Sequence, residues 1–190
     1  HVLRRRQRQM CIRDRVKDIT NEEKGCAKIN LALHVTGIQA DGYHALDSIV
    51  VFTDVFDRLF FKRSLKNVVT LTGEFSGSIN VQENSILQAL KLFGNGLTDR
   101  FSINLEKNLP IGAGLGGGSA DAAAVIRFLT NNSKHLMPSS EALSKIGADI
   151  PACVLSVASR VRGIGEIVQP LDMSEINLWV VLVNPDIFVS

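Results

Sequence analysis

The residues best suited to chemistry lie in one stretch, Pro110-Ile111-Gly112-Ala113-Gly114-Leu115-Gly116-Gly117-Gly118-Ser119-Ala120, which puts five glycines into seven consecutive positions. Glycine lets a backbone take positive φ and lets a ligand approach without a Cβ in the way. A helical pattern follows from about Ser119 to Leu129, with Ala122, Val125, Ile126 and Leu129 on one face. The loop therefore feeds a helix N-terminus, where unpaired N–H groups and the positive dipole end favour a phosphate. Ser119 adds a hydroxyl suited to a phosphate or to a phosphate-bound Mg²⁺. A plain linker between two ordered elements would not carry so much glycine, because ordering each one costs chain entropy.

Two familiar phosphate loops fit poorly. Gly112, Gly114 and Gly117 match G-x-G-x-x-G, but that fingerprint also needs a following strand that ends in an acid about 20 residues on. Residues 131–140 are polar and broken by Pro138. A Walker A loop needs a lysine after its last glycine, and Ser119 stands there.

Phosphoryl transfer to an alcohol needs a positioned hydroxyl and stabilised phosphate charge. A carboxylate can take the hydroxyl's proton, and a nearby cation keeps it ionised and steadies the developing charge. Lys28 and Asn30 are two apart in an alternating segment, so both side chains emerge on one face. Asp149 lies between Gly147 and Pro151, which suggests a rigid backbone. Taken singly, Lys28 also fits a solvated strand lysine and Asp149 a loop acid at a helix end. Tyr43, the sole tyrosine, stands beside His44. The two could stack on or hydrogen-bond to a nucleobase, or cover a core edge. His34 and His135 lack metal-ligand spacing and read as structural or solvated.

The elements that must position these residues follow from periodicity. Residues 27–36 alternate, with Ala27, Ile29, Leu31, Leu33 and Val35 opposite Lys28, Asn30, Ala32, His34 and Thr36, which predicts a half-buried strand. Strands are also expected at Ser48–Thr53, Arg58–Lys62, Val68–Leu71, Phe101–Leu105, Ala152–Val157, Arg160–Val161, Ile167–Val168 and Leu178–Val183, the early ones as an antiparallel meander. Phe52, Phe56, Phe60 and Phe61 read as core or hairpin surface. A helix over Ile86–Phe93 is capped by Asn84 or Ser85 and stopped by Gly94 and Gly96. Another over Ser140–Ile146 is capped by Ser139 or Ser140 and stopped by Gly147. The class is α+β.

Composition excludes other functions. The chain is 45% hydrophobic and 21% charged, ordinary for a globular protein. No apolar run approaches the roughly 18 residues of a membrane helix, so no membrane partner is expected. The net charge of +2 is set by Arg4, Arg5, Arg6, Arg8, Arg13 and Arg15. Beyond residue 15, 15 bases face 18 acids, which gives no reason to expect a nucleic-acid partner. Residues 1–15 have no apolar signal core and read as a non-native basic tail. Cys11, Cys26 and Cys153 are odd in number and widely spaced, against a disulfide framework or zinc site and for a reducing compartment.

Residues 110–124 resemble, nearly position for position, the ATP-binding motif of the GHMP kinases. That motif begins with Pro, carries Gly-x-Gly-Leu-Gly and enters an Ala-rich helix. Ala27-Lys28-Ile29-Asn30-Leu31 resembles a first-strand motif within the family. Asp41-Gly42-Tyr43-His44 resembles a substrate-binding turn. Gly147-Ala148-Asp149-Ile150-Pro151 resembles a catalytic-aspartate motif, and Gly163-Ile164-Gly165-Glu166 follows. In this order the four segments are similar to the branch that phosphorylates a cytidine diphosphate derivative of methylerythritol. The resemblance covers about residues 25–190.

It implies the α+β GHMP kinase fold, with an N-terminal domain over residues 16–170 like domain 2 of ribosomal protein S5. Residues 171–190 would open a truncated C-terminal domain. It implies ATP and Mg²⁺ as cofactors, Lys28 and Asp149 as catalytic residues, and ATP held by residues 110–120 with Ser119 near the metal. Asn30, Tyr43, His44 and Asp149 would bind the small-molecule substrate. The activity would be phosphorylation of the 2-hydroxyl of 4-diphosphocytidyl-2-C-methyl-D-erythritol in non-mevalonate isoprenoid synthesis, in a bacterial-type cytoplasm or a plastid. Another GHMP small-molecule kinase, of homoserine or mevalonate type, and an inactive nucleotide-binding fragment are the alternatives.

Overall fold

The computed structural model describes residues 21–40, 42–78, 85–94, 99–132, 135–176 and 179–183. The basic tail, Asp41 and Asn84 lie outside them. The chain order is β1 (Asn21–Ile38), β2 (His44–Ser64), β3 (Val68–Thr72), α1 (Ser85–Leu92), β4 (Arg100–Glu106), α2 (Gly117–Asn132), α3 (Ser140–Ser144), α4 (Ile150–Leu155), β5 (Ser159–Gly163) and β6 (Ile167–Pro170).

One six-stranded sheet carries the molecule, in the order β3-β4-β2-β5-β6, with β1 on β2. Its axis is β2, a single 21-residue strand where two short ones were expected. It pairs with β1 along one edge, and on the other with β5 at residues 46–50 and with β4 at residues 58–64. The expected meander is only partly realised, because β3 runs parallel to β4. Parallel neighbours need a crossover, and the intervening chain contains α1.

Two other expectations are overturned. Ala152–Val157 is not a strand but mostly α4, with Pro151 in its first turn and Ser156 closing it in a left-handed conformation. Its apolar run is short, and length and β-branching alone do not separate a buried helix from a strand. Residues 179–183 form no strand either.

Helix α2 is the hub. Ala120, Asp121, Ala122, Ala123, Ala124, Val125, Ile126, Phe128 and Leu129 are all buried. A helix apolar almost all round must be enclosed on all sides, and α2 lies between β1, α1 and α4. Its alanines let neighbours come close. A Cβ built on Gly25 of β1 would sit 3.2 Å from the Ala120 carbonyl carbon. Arg127 is one polar exception, beside Asp121, and ties Glu23, the Lys24 carbonyl and the Cys153 carbonyl together. Ser139 caps α3 by accepting the Ala142 N–H.

The core centres on Phe128. Its ring stacks on Phe61 at 3.8 Å between centroids and meets the edge of Phe101 at 5.1 Å. All three rings are buried. Phe128→Ala should cost about 3–5 kcal/mol of unfolding free energy in a urea titration. A loss below about 1 kcal/mol, ordinary for a surface change, would show that this aromatic group is not the centre of the core.

Candidate active site

The site forms where β1 crosses the glycine turn. The backbone N–H of Lys28 donates to the Leu115 carbonyl at 2.9 Å, tying strand and turn together. Gly112, Gly114 and Gly116 have φ of 68°, 72° and 65°, a region where a Cβ is disfavoured. Crowding adds to this at Gly116, where a Cβ would lie 3.3 Å from Lys28 Cε and 3.6 Å from Asp149 Oδ2. Gly117 and Gly118, expected in the loop, belong to the first turn of α2, which the Ala120 N–H closes onto the Gly116 carbonyl at 2.8 Å. Ser85, at the start of α1, donates its hydroxyl to the Gly118 carbonyl.

The structure brings Lys28 and Asp149 together. Lys28 Nζ is 2.9 Å from Asp149 Oδ1, with the lysine side chain buried and the aspartate 42% exposed. Asp149 stands just before α4 but makes no side-chain capping bond, so its carboxylate is left to the lysine and to the open side of the site. One close approach and one ordinary contact place its segment. A Cβ on Gly165 would fall 2.0 Å from the Ala148 carbonyl oxygen, and one on Gly147 would lie 3.5 Å from Ser119 Oγ. Ser119 therefore sits beside the Asp149 segment. Among the described residues no group of three or more His, Cys, Asp or Glu side chains could hold a metal.

Asn30 joins this group in a way that its residue type did not specify. Its Oδ1 accepts from Lys28 Nζ at 2.8 Å, and its Nδ2 donates to Ser48 Oγ, which donates in turn to the Ala32 carbonyl. Tyr43 and His44 lie elsewhere, exposed at the tip of the β1–β2 hairpin. His44 is eight residues along β2 from Phe52, the partner of Lys28, about 26 Å of extended strand. An extra residue at Leu31 shifts the pairing between Asn30 and Ala32. The strict alternation read from the sequence therefore fails. Leu33, paired with Ser48, and Val35, paired with Leu46, share the face of Lys28 and Asn30 and are exposed there.

A second charged group escaped sequence reading. Asp57, Lys107 and Asp121 are all buried, and Lys107 Nζ contacts Asp57 Oδ2 and, at 2.9 Å, Asp121 Oδ2. Nothing in the spacing of three residues, one on β2, one just past β4 and one on α2, announces such a cluster. Burial pushes the Asp121 carboxyl up to about 7, with Lys107 opposing and Asp57 reinforcing the change. Burial works against the Lys107 ammonium, but the two carboxylates outweigh it and hold that group above its usual value.

The chain is similar to known proteins over most of its length. Residues 84–165 match the GHMP kinases N terminal domain. The chain is 42% identical over 164 residues to a 4-diphosphocytidyl-2-C-methyl-D-erythritol kinase of Cereibacter sphaeroides (strain ATCC 17025 / ATH 2.4.3), covering 86% of this chain and 58% of that protein. It is 47% identical over 158 residues to the enzyme of that name from Rhizobium johnstonii, covering 78% and 52%. A crystal structure of 4-(cytidine 5'-diphospho)-2C-methyl-D-erythritol kinase superposes with a TM-score of 0.65 at 33% identity, over 80% of this chain and 55% of that one. A mevalonate diphosphate decarboxylase from Legionella pneumophila, at 14% identity and a TM-score of 0.54, shares the fold. The chain thus spans between half and three-fifths of the length of these relatives. Its α+β architecture is that of the GHMP kinase fold.

The raised Asp121 group gives stability a definite pH dependence. Between the ordinary aspartate value and about 7, the folded chain binds the proton that the unfolded chain has released, so stability must fall as pH rises through that window. Melting temperature should be lower at pH 7.5 than at pH 5, and Asp121→Asn should shrink the difference. An equal difference in parent and variant would contradict the assignment.

Proposed function

We propose that this chain is a member of the GHMP kinase family and the nucleotide-holding part of an enzyme that transfers the γ-phosphoryl of ATP to a hydroxyl of a small molecule. The observation that carries this reading is the Lys28–Asp149 contact at 2.9 Å beside a positive-φ glycine turn. The turn and the start of α2 offer backbone N–H groups and a helix N-terminus to a triphosphate, and residues 110–120 would hold it. The cradle fits such a group because its glycines leave room that Cβ atoms would fill. ATP would supply the phosphoryl group, and Mg²⁺ would neutralise phosphate charge. With no cluster of protein ligands among the described residues, the ion would be held chiefly by phosphate oxygens and water, with Ser119 in the first turn of α2 as a candidate hydroxyl.

Asp149 accepts the proton of the acceptor hydroxyl. Its Oδ1 is engaged by Lys28, and its Oδ2 faces the glycine turn. Lys28 steadies the charge that develops on the transferred group. Asn30 orients Lys28 through its own carbonyl oxygen, so its part in substrate binding is to aim the lysine.

The acceptor we assign is the 2-hydroxyl of 4-diphosphocytidyl-2-C-methyl-D-erythritol, the compound in the relatives' names. The separation of Tyr43 and His44 from Lys28 supports this choice, since only a long acceptor could touch both ends of the hairpin. Its nucleobase would lie against the Tyr43–His44 tip. A bacterial-type cytoplasm suits this reading, and no helix among the described residues is long and apolar enough to cross a membrane.

The test is ATP consumption by a protein of the relatives' full length that carries this chain, with the cytidyl acceptor. Asp149→Asn should lower kcat by about 10²–10⁴-fold, the usual worth of a positioned base. An acceptor lacking the nucleobase should be turned over poorly. A near-normal rate in the variant would remove Asp149 from the role.

A further inference from the structure

Beneath the glycine turn lies an ion group that phosphoryl transfer does not use. Asp57, on β2, is fully buried, and its Oδ1 accepts the backbone N–H groups of Asn108 at 2.6 Å and Leu109 at 2.8 Å. Those residues lead directly into Pro110, which has no N–H to offer. The other oxygen of Asp57 meets Lys107 Nζ, which also reaches Asp121 Oδ2 in the first turns of α2. The contacts therefore bracket the turn, with two amides and a lysine before it and a carboxylate just after it. A Cβ on Gly117 would fall 3.0 Å from Lys107 Nζ and 3.7 Å from Asp57 Oδ2, so the group also supports the turn from below.

We propose that Asp57, Lys107 and Asp121 act as positioning residues, clasping both ends of the glycine turn and so setting the backbone amides that grip the nucleotide. The proposal rests on the nucleotide-binding reading of residues 110–120. Three observations favour it over a purely stabilising role. Buried ion groups repay their desolvation poorly, and apolar side chains of the same volume often stabilise as well or better. What directional, charge-assisted bonds do supply is fixed geometry. A turn made mainly of glycine has almost no side chains with which to fix itself, and its conformation must be imposed from outside. Asp121 Oδ1, moreover, is buried with no hydrogen-bond partner, close against Gly25, where a Cβ would come within 2.8 Å. A group selected for stability alone would not strand that oxygen.

The test compares the parent chain with Asp57→Ala, which removes the acceptor for both amides, and Asp57→Asn, which keeps an acceptor oxygen. Two quantities are read well below each protein's melting temperature: amide hydrogen exchange across residues 112–118, and the Kd for ATP with Mg²⁺. Asp57→Ala should speed exchange there and weaken ATP binding, each by about tenfold or more, as loss of a buried acceptor implies. Asp57→Asn keeps an acceptor for the two amides but turns an N–H₂ toward Lys107, so it should recover part of both losses and stand nearer the parent than Asp57→Ala does. A folded Asp57→Ala that melts lower but exchanges and binds like the parent overturns the proposal. If Asp57→Ala does not fold, Lys107→Arg decides, because it keeps the charge but crowds Gly117 with a larger head. Parent-like exchange and Kd in that variant also overturn the proposal. If the parent itself does not bind ATP, the nucleotide reading fails, and exchange across 112–118 alone settles whether the clasp exists.

Discussion

The arrangement depends on how closely β1 approaches the N-terminal turn of α2. Gly25 makes the approach possible, because a side chain there would collide with Asp121 and with the backbone at Ala120. Close approach brings the Lys28 amide to the Leu115 carbonyl, and the bond between them fastens an apolar-backed strand to a loop of glycines. The Lys28 side chain then runs past Gly116 to Asp149. Burying an ammonium is costly without partners, and Asp149 and Asn30 provide them. The site is therefore a consequence of backbone proximity first and of side-chain chemistry second.

Much of this was legible in the sequence. Glycine density, the Ala-rich helix after it, and the Lys28–Asn30 spacing all report local properties that survive folding. The helices at 86–93, 119–129 and 140–146 are all present, with boundaries shifted by at most three residues. The start of α2 moved for a physical reason, since Gly117 and Gly118 already have a helical partner in the turn closed by Ala120. What could not be read was long-range. One continuous β2 replaces two strands because β1, β4 and β5 all pair with it, and the segment between Thr53 and Arg58, interrupted by Asp54 and Asp57, gave no sign of that. The buried charges at Asp57, Lys107 and Asp121 come from three parts of the chain whose meeting no local pattern encodes.

The bulge at Leu31 shows how a rule can hold locally and fail over a strand. Alternation places Lys28 and Asn30 together, as expected, but one additional residue swaps the faces beyond it. Leu33 and Val35 then face the same side as Lys28 and Asn30. The face that begins with a lysine and an asparagine thus continues as an apolar surface toward the hairpin tip. Bulges are common beside functional sites because they re-aim side chains without ending the sheet.

Strand β2 also serves as a ruler. Its inner half is paired where the turn is held, its outer half ends at His44, and the same unbroken backbone joins them. Inserting two residues between the halves would lengthen the span by about 7 Å and keep every side chain on its own face. Inserting one would turn the whole outer half over. Without a bulge, the reach of the hairpin can therefore change only in steps of two residues, so a change in that reach among related chains would come as a discrete jump in strand length rather than as a gradual drift of side chains.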